Sequence, residues 1–208
     1  MFADRTDAGK RLARALDAYR GRGALVLAIP RGGVVVGDEV ARHLGADFSL
    51  IVSRKLPLPD NPESGFGAIA EDGSVFIHPA AARWVAREDA EEIARAQRRE
   101  IGRRIEALRG GRPLPPLSGR TVILVDDGIA MGSTMSASVM ACRRAKAARI
   151  VVAAPVAGAD VARAMKRVAD EVVILEIPPD FHAVAQAYRE WYDLEDEEVV
   201  EIMTRRGG

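Results

Sequence analysis

Six consecutive apolar residues at 24–29 (ALVLAI) leave no polar position for either side of a strand. Such a strand must be covered on both faces, as in a parallel sheet held between helices. Shorter runs rich in Val, Ile and Leu follow at 48–52, 121–125, 150–154 and 171–176. Between them the apolar residues switch to helical spacing. Leu12 and Leu16 lie one turn apart within 4–19, and further helices are expected over 34–44, 133–146 and 160–169. This alternation predicts an α/β fold, a parallel sheet flanked by helices. Two shorter helices are expected near the C-terminus, over 182–191 and 195–204.

The middle of the chain breaks the pattern. Pro57, Pro59, Pro62, Gly65 and Gly67 read as a loop, and the runs 66–70 and 74–77 flank Asp72-Gly73 as a short hairpin. A charge-rich helix is expected over 80–109, ended by Gly110-Gly111-Arg112-Pro113. Its residues Ala90, Ala94, Ile101, Ile105 and Leu108 form one stripe, read either as a packing face or as a dimer seam.

Composition removes several function classes. A chain of 208 residues suits a single domain, and 30 basic against 30 acidic residues give no bulk charge for a general nucleic-acid surface. All but four of the 30 cations are arginine. The single cysteine, Cys142, excludes an intramolecular disulfide and a multi-thiolate metal site, and its place in a predicted helix suggests a packed thiol. His43, His78 and His182 have no metal-ligand spacing. The run 24–29 is too short to cross a bilayer, and Asp4 and Asp7 interrupt any signal-peptide core. A cytoplasmic protein without membrane or nucleic-acid partners is expected.

In open α/β sheets ligands bind beyond the carboxyl ends of the strands. Three such ends are unusual here: Pro30-Arg31-Gly32-Gly33, Arg54-Lys55, and the segment 126–134. In the last, two carboxylates precede a loop of small residues that opens a helix. Small residues let backbone close around a ligand, and the free N–H groups of a helix start favour phosphate. The carboxylates must then face something else, for which sugar hydroxyls and hydrated Mg²⁺ are suited.

The segment 122–134 (VILVDDGIAMGST) resembles the 13-residue signature by which type I phosphoribosyltransferases bind phosphoribosyl pyrophosphate (PRPP). The likeness extends over about 24–176. It implies a five-stranded parallel core (about 20–177), a small hood from 1–19 and 178–208, and a flexible lid at about 55–78. By the resemblance, Asp126 and Asp127 hold the ribose hydroxyls and help to place Mg²⁺, while Ala130, Met131, Gly132, Ser133 and Thr134 cradle the 5′-phosphate. Arg31-Gly32-Gly33 matches the pyrophosphate loop, and Arg54 and Lys55 match basic residues that pair with pyrophosphate. Arg54, Lys55, Asp126 and Asp127 are therefore the expected catalytic set.

Two positions depart from the family pattern. Met131 stands where many members have Thr. Ala130 stands where 6-oxopurine enzymes carry an acid, which disfavours such a base. The resemblance implies a Mg²⁺- and PRPP-dependent transferase acting on a nitrogen acceptor of nucleobase type, in a homodimer. A PRPP-sensing regulator without turnover is the alternative. Glu63 and Glu71 read as solvated loop carboxylates rather than as site acids. Phe181, Tyr188, Trp191 and Tyr192 read as core packing, with stacking over a base beneath the hood as the other possibility.

Overall fold

The computed structural model describes residues 1–79, 81 and 85–206, with Glu63 described by its backbone only. Five strands form the central parallel sheet: β1 (Leu25–Ala28), β2 (Asp47–Leu50), β6 (Thr121–Val125), β7 (Arg149–Val156) and β8 (Glu171–Glu176), in the order β2-β1-β6-β7-β8. Three others, β3 (Ser53–Leu58), β4 (Asn61–Ala70) and β5 (Val75–Ile77), make a separate antiparallel sheet in that order. The helices are α1 (Arg5–Ala15), α2 (Gly33–Leu44), α3 (Arg87–Arg109), α4 (Ser133–Arg144), α5 (Ala159–Met165) and α6 (Asp196–Arg205). None is long and apolar enough to cross a membrane, among the described residues.

The apolar runs divide their side chains between two cores, as alternation along a strand requires. Leu25 and Leu27 of β1, with Val122 and Leu124 of β6, join Met135, Val139 and Cys142 of α4 on one face. Val26, Ile123 and Val125 point the other way, into a core made with Leu12 and Leu16 of the N-terminal segment and Val36, Val40 and Leu44 of α2. Every one of these side chains is buried. That is why the runs carry no polar position: both faces of the sheet are interior.

The Pro- and Gly-rich stretch 57–67, expected as a loop, is instead paired as the end of β3 and most of β4. The prolines do not prevent a ladder, because irregularities in the β3–β4 register fall between Leu56 and Leu58, at Pro57. The Asp72-Gly73 hairpin is present, with Asp72 accepting from the Ser74 backbone at 2.9 Å. The stripe of α3 packs against this sheet: Ile101, with Ala90, Ala94 and Ile105, covers Leu56, Phe66 and Ile69. Leu108 meets Val199 and Met203 of α6. An intramolecular partner therefore accounts for the stripe.

Helix α3 begins later than expected, at Arg87; of the earlier span, Ala80, Ala82, Arg83 and Trp84 lie outside the described residues. The first C-terminal helix is only a 3₁₀ turn, Val184–Ala187. Its neighbours are tied to the N-terminus instead, since Phe2 donates to the Ala187 carbonyl at 2.7 Å and packs on Tyr188. Glu71 is no surface carboxylate. Its side chain, 8% exposed, forms a buried pair with Arg109 at 2.7 Å and accepts from the Val52 backbone. Arg109 also donates to the Leu50 carbonyl, so this network joins the antiparallel sheet to the end of α3 and to β2.

Candidate active site

Because β1 and β6 are neighbours in the sheet, the loops that follow them meet at the carboxyl edge. Their fit depends on missing side chains. A Cβ on Gly32 would lie 1.8 Å from the Asp127 carboxylate, and one on Gly33 would lie 2.8 Å from the Val125 carbonyl. No other residue type allows Arg31-Gly32-Gly33 to lie directly on the acid pair. The peptide between Pro30 and Arg31 is cis.

The two carboxylates have different surroundings. Asp127 is buried and accepts a hydrogen bond from Arg5 Nε at 2.8 Å, a pair exposed by only 7% and 11%. Its backbone carbonyl accepts from the Tyr188 hydroxyl at 2.6 Å. Arg5 itself donates to the Tyr192 carbonyl and lies 3.9 Å over the Trp191 ring. One face of Trp191 is thus taken by a guanidinium. Asp126 is half-buried and accepts from the Asp127 backbone at 2.9 Å. Burial and the adjoining charge hold the Asp126 carboxyl well above the usual carboxylate range. Burial also raises Asp127, and Arg5 opposes that rise.

Beyond the acids, Ala130 and Met131 are exposed, with Met131 64% exposed, and Gly132 turns the chain at φ +74° into the first turn of α4. The loop and helix start line a cavity of about 290 Å³ that also receives Asp126, Lys55 and Val184. Ser133 and Thr134 are on its wall, and the amino end of α4 supplies the N–H groups that suit a phosphate. Val184 packs over Gly128, where a Cβ would come within 2.5 Å of it.

A second cavity, of about 340 Å³, shares Val184 with the first in its wall. It is lined by Arg5, Arg31, Gly32, Arg54, Arg104 and Asp127, and is closed by Trp191, Asp193 and Leu194 from the C-terminal segment. The structure therefore brings the sequence-identified residues together in two adjoining compartments. Lys55 and Arg54, consecutive on β3, point to opposite faces of that strand. Lys55 enters the compartment of the helix start, whereas Arg54 enters the one with Arg31.

Sequence reasoning missed Arg5 and Arg104; Tyr188 is core packing as expected, and only its hydrogen bond to the Asp127 carbonyl was not foreseen. Arg5 and Arg104 sit on charge-rich helices whose cations look solvated, and their burial depends on which helix face meets the sheet edge. Cys142 is a packed thiol, pushed up to about 12 by burial.

A phosphoribosyl transferase domain model matches residues 4–190. The chain belongs to the phosphoribosyl transferase family. A Mycobacterium tuberculosis protein provisionally named a phosphoribosyl transferase is 41% identical over 207 residues, 99% of this chain and 47% of that protein. The chain thus spans about half the length of the curated relatives it matches. Among solved structures, TT1426 from Thermus thermophilus is 40% identical with a TM-score of 0.84, covering 100% of this chain and 99% of that one. The fold, though not more, is shared with a hypoxanthine phosphoribosyltransferase from Staphylococcus aureus: 11% identity, TM-score 0.51, 85% and 76% coverage. A purine phosphoribosyltransferase from Pyrococcus horikoshii is 15% identical, with a TM-score of 0.50 and 92% and 93% coverage.

Proposed function

We propose that the protein transfers the 5-phosphoribosyl group of Mg-PRPP to a nitrogen atom of a small acceptor of nucleobase type and releases pyrophosphate. The carrying observation is the contact of Gly32 with Asp127, which sets the arginine-bearing loop and the acid pair around one point between the two cavities. In this reading the 5′-phosphate lies against 130–134 and the start of α4, with Ser133 and Thr134 as hydroxyl donors. Asp126 accepts from the ribose hydroxyls. Asp127, fixed by Arg5 and Tyr188, holds the Arg31-Gly32-Gly33 loop in register and lends negative charge to the ribose side.

The reaction breaks the C1–O bond to pyrophosphate and forms a C1–N bond with inversion. Positive charge grows on the ribose as negative charge grows on the leaving group. Arg31 and Arg54 face the second, and Lys55 lies across Asp126 in the other compartment. Positioning and charge stabilisation supply the rate, with about 10²–10³ lost per stabilising donor removed. Among the described residues no group of three or more His, Cys, Asp and Glu side chains could hold a metal ion by itself. The hard oxygens of Asp126 nonetheless suit Mg²⁺ shared with hydroxyl and diphosphate oxygens, where the ion would neutralise the leaving group.

The test is direct. Protein, Mg²⁺ and PRPP are mixed with a panel of nucleobases, and pyrophosphate is followed. Base-dependent release that is abolished by EDTA is expected. PRPP binding without release from any base would instead make the protein a sensor.

A further inference from the structure

We propose that Arg104, on the long helix α3, is the third guanidinium of a diphosphate-selective anion subsite formed with Arg31 and Arg54. The inference rests on the functional reading above and extends it to a residue outside the PRPP signature and its two companion loops. Three separate elements converge on the 340 Å³ cavity: Arg31 follows β1, Arg54 lies on β3, and Arg104 comes from α3.

Each of the three is steadied by a residue outside the cavity wall. Arg54 Nε donates to Gln97 Oε1 at 3.2 Å, and Arg104 Nε donates to Glu100 Oε1 at 3.1 Å, both partners belonging to α3. Arg31 Nη1 donates to Asp196 of α6 at 3.4 Å. Among the described residues the side chains of Arg54 and Arg104 make no other hydrogen bond, which leaves their terminal nitrogens to a ligand. The Arg104 side chain is only 14% exposed, so its direction is set by packing.

The charge balance points the same way. Of the acids on the wall, Asp127 is satisfied by Arg5, which leaves Asp193. Behind the wall Glu100 pairs with Arg104 and Asp196 with Arg31, so Arg54 is the one of the three arginines without a carboxylate partner among the described residues. Burial, with repulsion from Arg104 and, less strongly, Arg103 and Arg31, lowers the Arg54 pKa despite the nearby Glu100, a stress that a polyanion relieves. A guanidinium fork matches one phosphoryl group in the plane of its donors. A monophosphate can also accept from three forks, but a diphosphate carries more negative charge and spreads it over two phosphoryl groups, so three guanidinium groups converging from separate elements favour the diphosphate.

The experiment measures binding of inorganic pyrophosphate, inorganic phosphate and ribose 5-phosphate by calorimetry to the wild type, Arg104→Gln and Arg104→Lys. Arg104→Gln should weaken pyrophosphate about tenfold or more, the loss of a charge-assisted bond. Phosphate should weaken less, and ribose 5-phosphate, held in the other compartment, should stay within about twofold of wild type. Arg104→Lys keeps the charge and the packed stem, should fold even if the Gln variant does not, and should bind pyrophosphate with an intermediate affinity. Unchanged pyrophosphate affinity in either variant overturns the inference, as does a parallel loss for ribose 5-phosphate. A wild type that binds neither pyrophosphate nor ribose 5-phosphate overturns the functional reading, and this subsite with it.

Discussion

The pair between Arg5 and Asp127 offers the sharpest test of how this site is held. Arg5→Met keeps much of the side-chain volume but leaves a buried carboxylate without its cation. Both members are nearly inaccessible, at 7% and 11%, so solvent cannot screen the loss. Breaking such a pair from one side costs about 3–5 kcal/mol. At about 2–4 °C per kcal/mol for a chain of this size, the melting temperature should fall by roughly 6–20 °C. The pH dependence identifies the cause. A carboxyl whose folded pKa lies above its unfolded value holds its proton more tightly when folded, so stability falls as pH rises through that window. The acid pair already sits in this regime, and removal of Arg5 moves its upper limit higher. The deficit of the variant should therefore be largest near pH 8 and shrink towards pH 5. Adding Asp127→Asn should restore part of the lost stability at pH 8. Scanning calorimetry at the two pH values decides the matter. A fall below about 2 °C at pH 8, or the same fall at both values, would refute the account of Asp127 as a charge kept buried by Arg5.

Gly32→Ala places a Cβ 1.8 Å from the Asp127 carboxylate, so the loop and the acid must separate. A stability loss of about 1–3 kcal/mol in urea denaturation is expected, with pyrophosphate release reduced about 10²-fold or more; wild-type values of both would contradict the close packing described. Glu71→Gln removes one charge of a pair exposed by 3% and 8% and should cost about 3–5 kcal/mol in the same denaturation experiment. A loss under about 1 kcal/mol would mean that Arg109 finds another partner.

Much of this architecture is legible because burial on two sides leaves a plain mark. Val26 and Ile123 need one cover while Leu25 and Leu124 need another, and only a sheet between helices supplies both. The loop 126–134 is legible for a similar reason, since each small residue in it has a local steric role. Within the antiparallel sheet the β4–β5 hairpin was legible, but the β3–β4 pairing was hidden by Pro57, Pro59 and Pro62, which read as loop until the register irregularities that accommodate Pro57 are seen. Long-range partners left no local trace. Nothing near Glu71 in the chain announces Arg109, 38 positions later, and nothing near Arg5 announces Asp127, 122 positions later. Such pairs arise from tertiary packing, and helical charge patterns alone cannot separate a buried arginine from a solvated one.

The opposed directions of Arg54 and Lys55 have an evolutionary consequence. One strand supplies a cation to each compartment, and the assignment rests only on the parity of its residues. A single-codon insertion or deletion at the start of β3 would exchange the compartments, sending each cation to the wrong one, although every residue was retained. A two-codon change would preserve parity. Length variation along this lineage should therefore accumulate around 59–60, at the tip of the hairpin, and be purged at 51–54, where one residue more or less inverts the site.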